Sequence, residues 1–217
     1  MRVTRKLKSE ILAVLEEVYK DTSTALVYHS PFELLIAVIL SAQCTDERVN
    51  KITAVLFIEY NTPAKILTLG QAGLEEYIKG CGLYHNKAKN IVATCVILCR
   101  DHDSQVPSSF EQLVNLPGVG RKTANVLLSQ LFNIPAIAVD THVFRVANRL
   151  GLAMGKTPGV VEDGLMKAIP KDKWSAAHHW LIWHGRKICK ARNPACGNCP
   201  VLNLCISSPK KVSKNIE

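Results

Sequence analysis

A proline between two helix-forming stretches, in Leu116-Pro117-Gly118-Val119-Gly120, fixes where this chain must reverse direction. Pro117 stops any helix arriving from upstream, and the glycines at 118 and 120 let the backbone turn. Before the turn, Ser108 and Glu111 form a Ser-x-x-Glu capping box that opens a short amphipathic helix with Phe110, Leu113 and Val114. After it, Arg121 to Phe132 carries Ala124, Val126, Leu127, Leu128 and Leu131, apolar enough for a mostly buried helix. The result is two helices joined by a hairpin over about 108–132. The free amides at the start of the second helix, with Gly118, Val119 and Gly120, offer bare backbone N–H groups to a phosphate. Such a surface grips a nucleic-acid strand without reading its sequence. A plain connector between core helices explains the glycines and proline equally well, but not Lys122. That lysine stands in the first helical turn, where the positive end of the helix dipole disfavours an ammonium group, whereas a lysine placed for stability belongs at the other end.

The remaining elements are also helical. Ser9 to Lys20 places Ile11, Leu12, Leu15, Val18 and Tyr19 on one face. Ser30, Pro31 and Glu33 give a second capping box, and Leu34 to Leu40 leaves no polar face, so this helix must be central. It ends in the polar loop Ser41-Ala42-Gln43-Cys44-Thr45-Asp46, where Thr45 or Asp46 caps the next helix, roughly Glu47 to Tyr60. Thr62-Pro63 repeats the cap-and-proline signal, and Gln71 to Lys79 reads as a short helix stopped by Gly80. Leu83 follows in a turn before a helix from about Lys87 to Cys99, either as an apolar wedge at a loop tip or tucked into the core. Asp140 or Thr141 caps a helix closed by Gly151, and the apolar run Ile134 to Val139 before it implies a partly buried carboxylate. His178, His179 and His184 have no cysteine or second carboxylate among them and read as packing residues. No strand alternation and no fixed-period repeat occurs, so the fold class is all-α, with about ten helices.

With 217 residues, 47% of them hydrophobic, the chain can bury one large core or two small ones. The formal charge of +9 favours a polyanionic partner. Basic residues crowd both ends: Arg2, Arg5, Lys6 and Lys8 at the start, and Arg186, Lys187, Lys190, Arg192, Lys210, Lys211 and Lys214 at the end. The longest apolar run, Leu34 to Leu40, is only seven residues, which fits neither an export signal nor a membrane span. A cytoplasmic protein with reduced thiols is therefore expected, and its eight cysteines must serve metal ligation or burial. Cys189, Cys196, Cys199 and Cys205 fall within seventeen residues among Asn193, Pro194, Gly197, Asn198 and Pro200, turn formers that bend a short chain round a site. Zinc and an iron-sulfur cluster are equally compatible with this spacing. Cys44, Cys81, Cys95 and Cys99 show no such pattern and read as small core residues.

Together these features resemble the endonuclease III family, bifunctional DNA glycosylases and abasic-site lyases of the helix-hairpin-helix superfamily. The resemblance is carried by Ser41-Ala42-Gln43, Gly82-Leu83-Tyr84, Leu116 to Ala124, Val139-Asp140-Thr141-His142 and the four-cysteine spacing, and it covers nearly the whole chain. It implies Lys122 as catalytic lysine, Asp140 as catalytic aspartate, and Cys189, Cys196, Cys199 and Cys205 as ligands of a 4Fe-4S cluster. It also implies that Gln43 and Leu83 enter the duplex where the damaged nucleotide leaves, with His142 among the DNA contacts. The implied architecture is a six-helix domain over 23–134 and a second helical domain from 1–22 plus 135–217, with the DNA groove between them and a cluster loop at 189–205. The implied partner is double-stranded DNA carrying damaged bases or abasic sites, bound by a monomer without membrane attachment. The implied reaction removes oxidised pyrimidines through a lysine Schiff base and cuts the strand by beta-elimination. Three alternatives remain: a helix-hairpin-helix module without chemistry, a monofunctional mismatch glycosylase, and an iron-sulfur electron carrier.

Overall fold

A computed structural model describes residues 3–208; Arg2, Lys210, Lys211 and Lys214, named among the basic ends, lie outside the described residues. Among the described residues all regular structure is helical, ten α-helices and two 3-10 turns. Residues Ala25–Asn133 form one compact unit, and the segments before and after it form the other.

The continuous unit holds α2 (Pro31–Ser41), α3 (Asp46–Glu59), α4 (Pro63–Ile78), α5 (Tyr84–Asp101), α6 (Phe110–Val114) and α7 (Arg121–Phe132). Helix α2 is its axis. Every side chain from Phe32 to Leu40 is buried, because α3, α5 and α7 pack around it. Each Val, Leu or Ile buried there contributes roughly 1.5–3 kcal/mol. Ser30 Oγ caps α2 by accepting from Glu33 N at 3.1 Å, while the Glu33 carboxylate accepts from His29 N at 2.6 Å, one residue ahead of the expected capping-box partner. Thr45 and Thr62 cap α3 and α4. The cap of α6 is Ser109 rather than Ser108: its hydroxyl accepts from Gln112 N, the third helical amide, which leaves Glu111 outside the box. Helix α4 runs in two arms across Gly70, at φ +70° and ψ 176°, a conformation open essentially to glycine alone. The short helix expected from Gln71 is its second arm.

The other unit holds α1 (Arg5–Tyr19), α8 (Thr141–Leu150), α9 (Pro158–Ala168) and α10 (Trp174–Lys187). Helix α10 packs against both α1 and α8, burying Ala177, Trp180 and Leu181. Lys8, Glu16 and Tyr19 tie α1 to later parts of the chain: Lys8 Nζ donates to Leu152 O at 2.6 Å, Lys173 Nζ donates to Glu16 Oε1 at 2.9 Å and Oε2 at 2.6 Å, and Tyr19 Oη lies 3.1 Å from His184 Nδ1. His178, His179 and His184 are all buried. Burial holds the His184 ring neutral, its pKa brought down to about 4. No described helix is long and apolar enough to cross a membrane.

Candidate active site

In the hairpin, Leu113, Leu116 and Val119 point into the core, so the turn is anchored from within. Pro117 O accepts a hydrogen bond from Thr94 Oγ1 on α5 at 2.9 Å, and Val119 N closes the turn on Leu116 O at 3.0 Å. Gly118 has φ +81°, and a Cβ there would meet Asn90 Cβ at 3.2 Å. Gly120 differs. Its backbone is extended, at φ −90° and ψ 176°, and a Cβ would meet nothing within 4 Å. Only Gly118 is therefore required by the turn, while Gly120 leaves open space in front of α7. It is also the N-cap of α7 and supplies no side-chain cap, whereas Ser or Thr hydroxyls cap α2, α3, α4 and α6. Lys122 is exposed in the first turn behind that open space, and the Arg121 guanidinium lies 5.4 Å from the centre of the Phe110 ring across the hairpin.

Gln43 and Leu83 stand on two neighbouring loops of the same unit. A Cβ on Gly82 would lie 3.4 Å from Gln43 O, and Arg48 Nη1 donates to Gly80 O at 2.9 Å, so the loops are packed together. Both residues have left-handed backbones, φ +55° for Gln43 and +59° for Leu83, and both side chains are exposed. Leu83 keeps 57% of its surface open to solvent, which rules out the tucked arrangement. A non-glycine residue in this conformation costs on the order of 1–3 kcal/mol, and such strain collects at functional sites. Behind the first loop, Lys87 of α5, only 5% exposed, donates from Nζ to Leu40 O at 2.8 Å and Ala42 O at 2.6 Å. Its ammonium holds the end of α2 and the start of the Gln43 loop, although burial lowers its proton affinity. Sequence periodicity gave no sign of this, because an isolated lysine in a helix is normally solvated.

In the other unit, Asp140 caps α8. Its Oδ1 accepts from His142 N at 2.8 Å and Val143 N at 2.7 Å, and the residue is half-buried, as the apolar run before it implied. Both cap bonds fall on one oxygen and fix the orientation of the carboxylate. The His142 ring lies 3.2 Å from Arg145 Nη2 through Nδ1 and packs on Gly185, where a Cβ would come within 3.0 Å of His142 Cβ. Burial lowers the pKa of His142, the Asp140 charge opposes that shift, and Arg145 and Arg186 add to it.

The four late cysteines line one cavity of about 210 Å³ in this unit. Arg145 Nε donates to Cys189 O at 2.9 Å, and Arg149 donates to Lys190 O at 2.7 Å and Ala191 O at 3.1 Å, so α8 straps down the start of the loop. A 3-10 turn at Cys196–Asn198 and the left-handed Asn193 bend the chain back round the cavity. Burial and the three neighbouring thiols push the Cys199 thiol up. Four thiols lining one cavity are the donor set of a cysteine-ligated iron-sulfur group. Of the other cysteines, 81 and 95 are buried and 44 and 99 half-buried.

Residues 36–171 match the HhH-GPD superfamily of base excision DNA repair proteins, and residues 189–205 match the iron-sulfur binding domain of endonuclease III. Endonuclease III of Escherichia coli K12 is 53% identical over 196 residues, covering 90% of this chain and 93% of its own length. This chain belongs to the endonuclease III family. Endonuclease III of Rickettsia conorii is 52% identical over 200 residues, covering 92% of this chain and 95% of its own. Two solved endonuclease III structures superpose at 46% identity. A non-covalent DNA complex has a TM-score of 0.92 and covers 97% of this chain and 99% of its own; a trapped covalent DNA intermediate has 0.91 and covers 99% of each. As a member of the endonuclease III family the chain carries a 4Fe-4S cluster, and these likenesses favour none of the three alternatives.

Proposed function

We propose that Lys122 is the nucleophile and Asp140 the carboxylate of this reaction, that Cys189, Cys196, Cys199 and Cys205 ligate the cluster, and that the substrate bases are oxidised pyrimidines. The chain is a bifunctional DNA glycosylase and abasic-site lyase of base excision repair. Chemistry on a base inside a duplex needs that base extruded, at a cost of a few kcal/mol that is smallest for damaged pairs. Gln43 and Leu83 fill the gap from their strained, exposed positions. The backbone amides of Gly118 and Gly120 hold a phosphate of the same strand, the Val119 amide being engaged by Leu116 O within the turn, with His142 a further DNA contact.

The amine of Lys122 attacks the anomeric carbon of the flipped nucleotide, and the bond to the base breaks, the base leaving with the electron pair and taking up a proton. The sugar ring opens to a protonated imine. Loss of a proton from the adjacent carbon then expels the 3′ phosphate by beta-elimination, and water returns the free lysine. Asp140 takes the proton that Lys122 must lose, or balances the charge on the sugar. The cluster, when bound, fixes the fold of the basic loop that carries Lys190 and Arg192. The chain works as a monomer, and it acts on the chromosome in the cytoplasm of a cell without a nucleus, a reading supported by its likeness to bacterial endonuclease III.

One observation carries this reading: an exposed lysine in the first turn of a helix that has a bare glycine hairpin in front and no side-chain cap. The test is borohydride trapping on an abasic duplex. Lys122→Ala is expected to abolish the covalent product while abasic-duplex binding persists; continued trapping would move the nucleophile to another amine.

A further inference from the structure

The two loops that carry Gln43 and Leu83 also carry two thiols with no part in the glycosylase and lyase chemistry. Cys44 Sγ lies 3.7 Å from Cys81 Sγ, sulfur against sulfur at van der Waals distance, although the residues are 37 apart in sequence. Cys81 is 2% exposed and Cys44 is half-buried. Cys44 directly precedes Thr45, the N-cap of α3. Burial and the neighbouring thiol push the Cys81 thiol up to about 11, with the Lys87 ammonium and the Arg48 guanidinium opposing that rise.

We propose that Cys44 and Cys81 form a reversible dithiol-disulfide couple, oxidised by peroxide, that binds the two DNA-inserting loops to each other and weakens the enzyme's action on DNA. The inference rests on the reading of Gln43 and Leu83 as residues that enter the duplex. Cys44 is the sulfur that reacts first, since it is the less buried of the two, while burial and the neighbouring thiol push Cys81 up to about 11. Its thiolate attacks one oxygen of hydrogen peroxide, the O–O bond breaks, and the departing hydroxide takes a proton to become water, leaving a sulfenic acid. Cys81 sulfur then attacks Cys44 sulfur, the S–O bond breaks, and the hydroxide leaves with the Cys81 proton as a second water. Two thiols lose two electrons and one peroxide is reduced to two waters. A dithiol reductant reverses the bond by exchange.

Bonding requires the sulfurs to close from 3.7 Å to about 2.05 Å, which draws together loops already packed through Gly82 and Arg48. Gln43 is covalently next to Cys44, and Leu83 is two residues from Cys81, so neither tip keeps its place. Displacement of a positioned group by about 1 Å can cost on the order of a hundredfold in rate. An enzyme acting on oxidised bases meets peroxide in the same circumstances that produce its substrates.

The experiment uses the full-length holoenzyme, treated with limiting hydrogen peroxide, then thiol-blocked, digested and analysed by mass spectrometry, with single-turnover cleavage of an abasic duplex measured on the same samples. The expected result is a peptide containing Cys44 bonded to one containing Cys81, with cleavage slowed by roughly tenfold to a hundredfold and restored by dithiothreitol. Cys44→Ala and Cys81→Ala should each give no linked peptide and no reversible slowing, while retaining all four cluster cysteines as an internal control for cluster damage. Absence of the linked peptide from the wild-type digest overturns the couple. A linked peptide with unchanged cleavage overturns its control of activity. Gln43→Ala and Leu83→Ala, assayed fully reduced, test the underlying reading separately: binding of an abasic duplex as tight as wild type would overturn the roles of those residues in DNA, whatever the thiols do.

Discussion

Asp140 is the N-cap of α8, bonding two of its amides. A single substitution can separate that task from the proposed one of supplying charge to the reaction. Asparagine caps a helix about as well as aspartate, whereas alanine loses about 0.5–2 kcal/mol at such a position. Asp140→Asn is therefore expected to melt within a degree or two of wild type yet lose roughly 10²–10⁴-fold in turnover, the usual worth of a positioned base. Equal turnover in the asparagine variant would reduce Asp140 to a cap. Both readings of Asp140, cap and reactive carboxylate, were open in the sequence. Individual residues became legible there when their neighbours constrained them, as the apolar run Ile134 to Val139 constrains Asp140. Lys87 and the Cys44–Cys81 contact were not legible, because each depends on segments brought together only by the folded core.

Helix starts were read from short-range chemistry, and Ser30, Thr45 and Thr62 cap where the local pattern placed them. The helices expected from Ser9 and about Lys87 begin earlier, at Arg5 behind the Thr4 cap and at Tyr84. Ser109 takes the place of Ser108 because adjacent serines offer the same hydroxyl one residue apart and the geometry of the first turn decides between them. The Gly70 bend was hidden for a related reason: helical pattern resumes on both sides of it. The hairpin gives a sharper test at this scale, since its two glycines serve different ends. Gly118→Ala adds a methyl where φ is +81° and Asn90 is 3.2 Å away, so the expected cost is about 1–3 kcal/mol of stability, read by denaturant unfolding. Gly120→Ala adds the same methyl to open space and extended backbone, so the fold should keep its stability while affinity for duplex DNA falls for all sequences alike. Equal stability losses in the two variants would mean that both glycines serve the turn. In α2, Leu35→Ala removes a fully buried side chain and should cost about 2–5 kcal/mol in the same assay.

For the molecule as a whole, charge and burial set how it responds to its surroundings. Lys190 and Arg192 are exposed on the cluster loop, and replacing both with glutamine should flatten the salt dependence of DNA binding by about 0.9 in log-log slope for each phosphate left without its cation. An unchanged slope would take that loop off the backbone. Stability should also depend on pH through His179 in the interior of its unit, whose pKa burial lowers from 6.5, with Arg186 adding to the shift. A depressed histidine binds protons more readily in the unfolded chain, so its contribution is intact above pH 6.5 and is lost as pH falls below it. Thermal melts at descending pH should show a shallower decline for His179→Gln than for wild type. The central place of α2 was legible, because a fully apolar helix requires neighbours on all sides. The pairing of α1 with segments more than 140 residues later was carried by no local pattern. That pairing bears on how the protein is made. A ribosome releases α1 before α10, and α1 must wait with its apolar face unclaimed while Ala25–Asn133 emerges and folds. Its partner α10 leads directly into Cys189, so α1 finds its place only as the iron-binding loop is being completed.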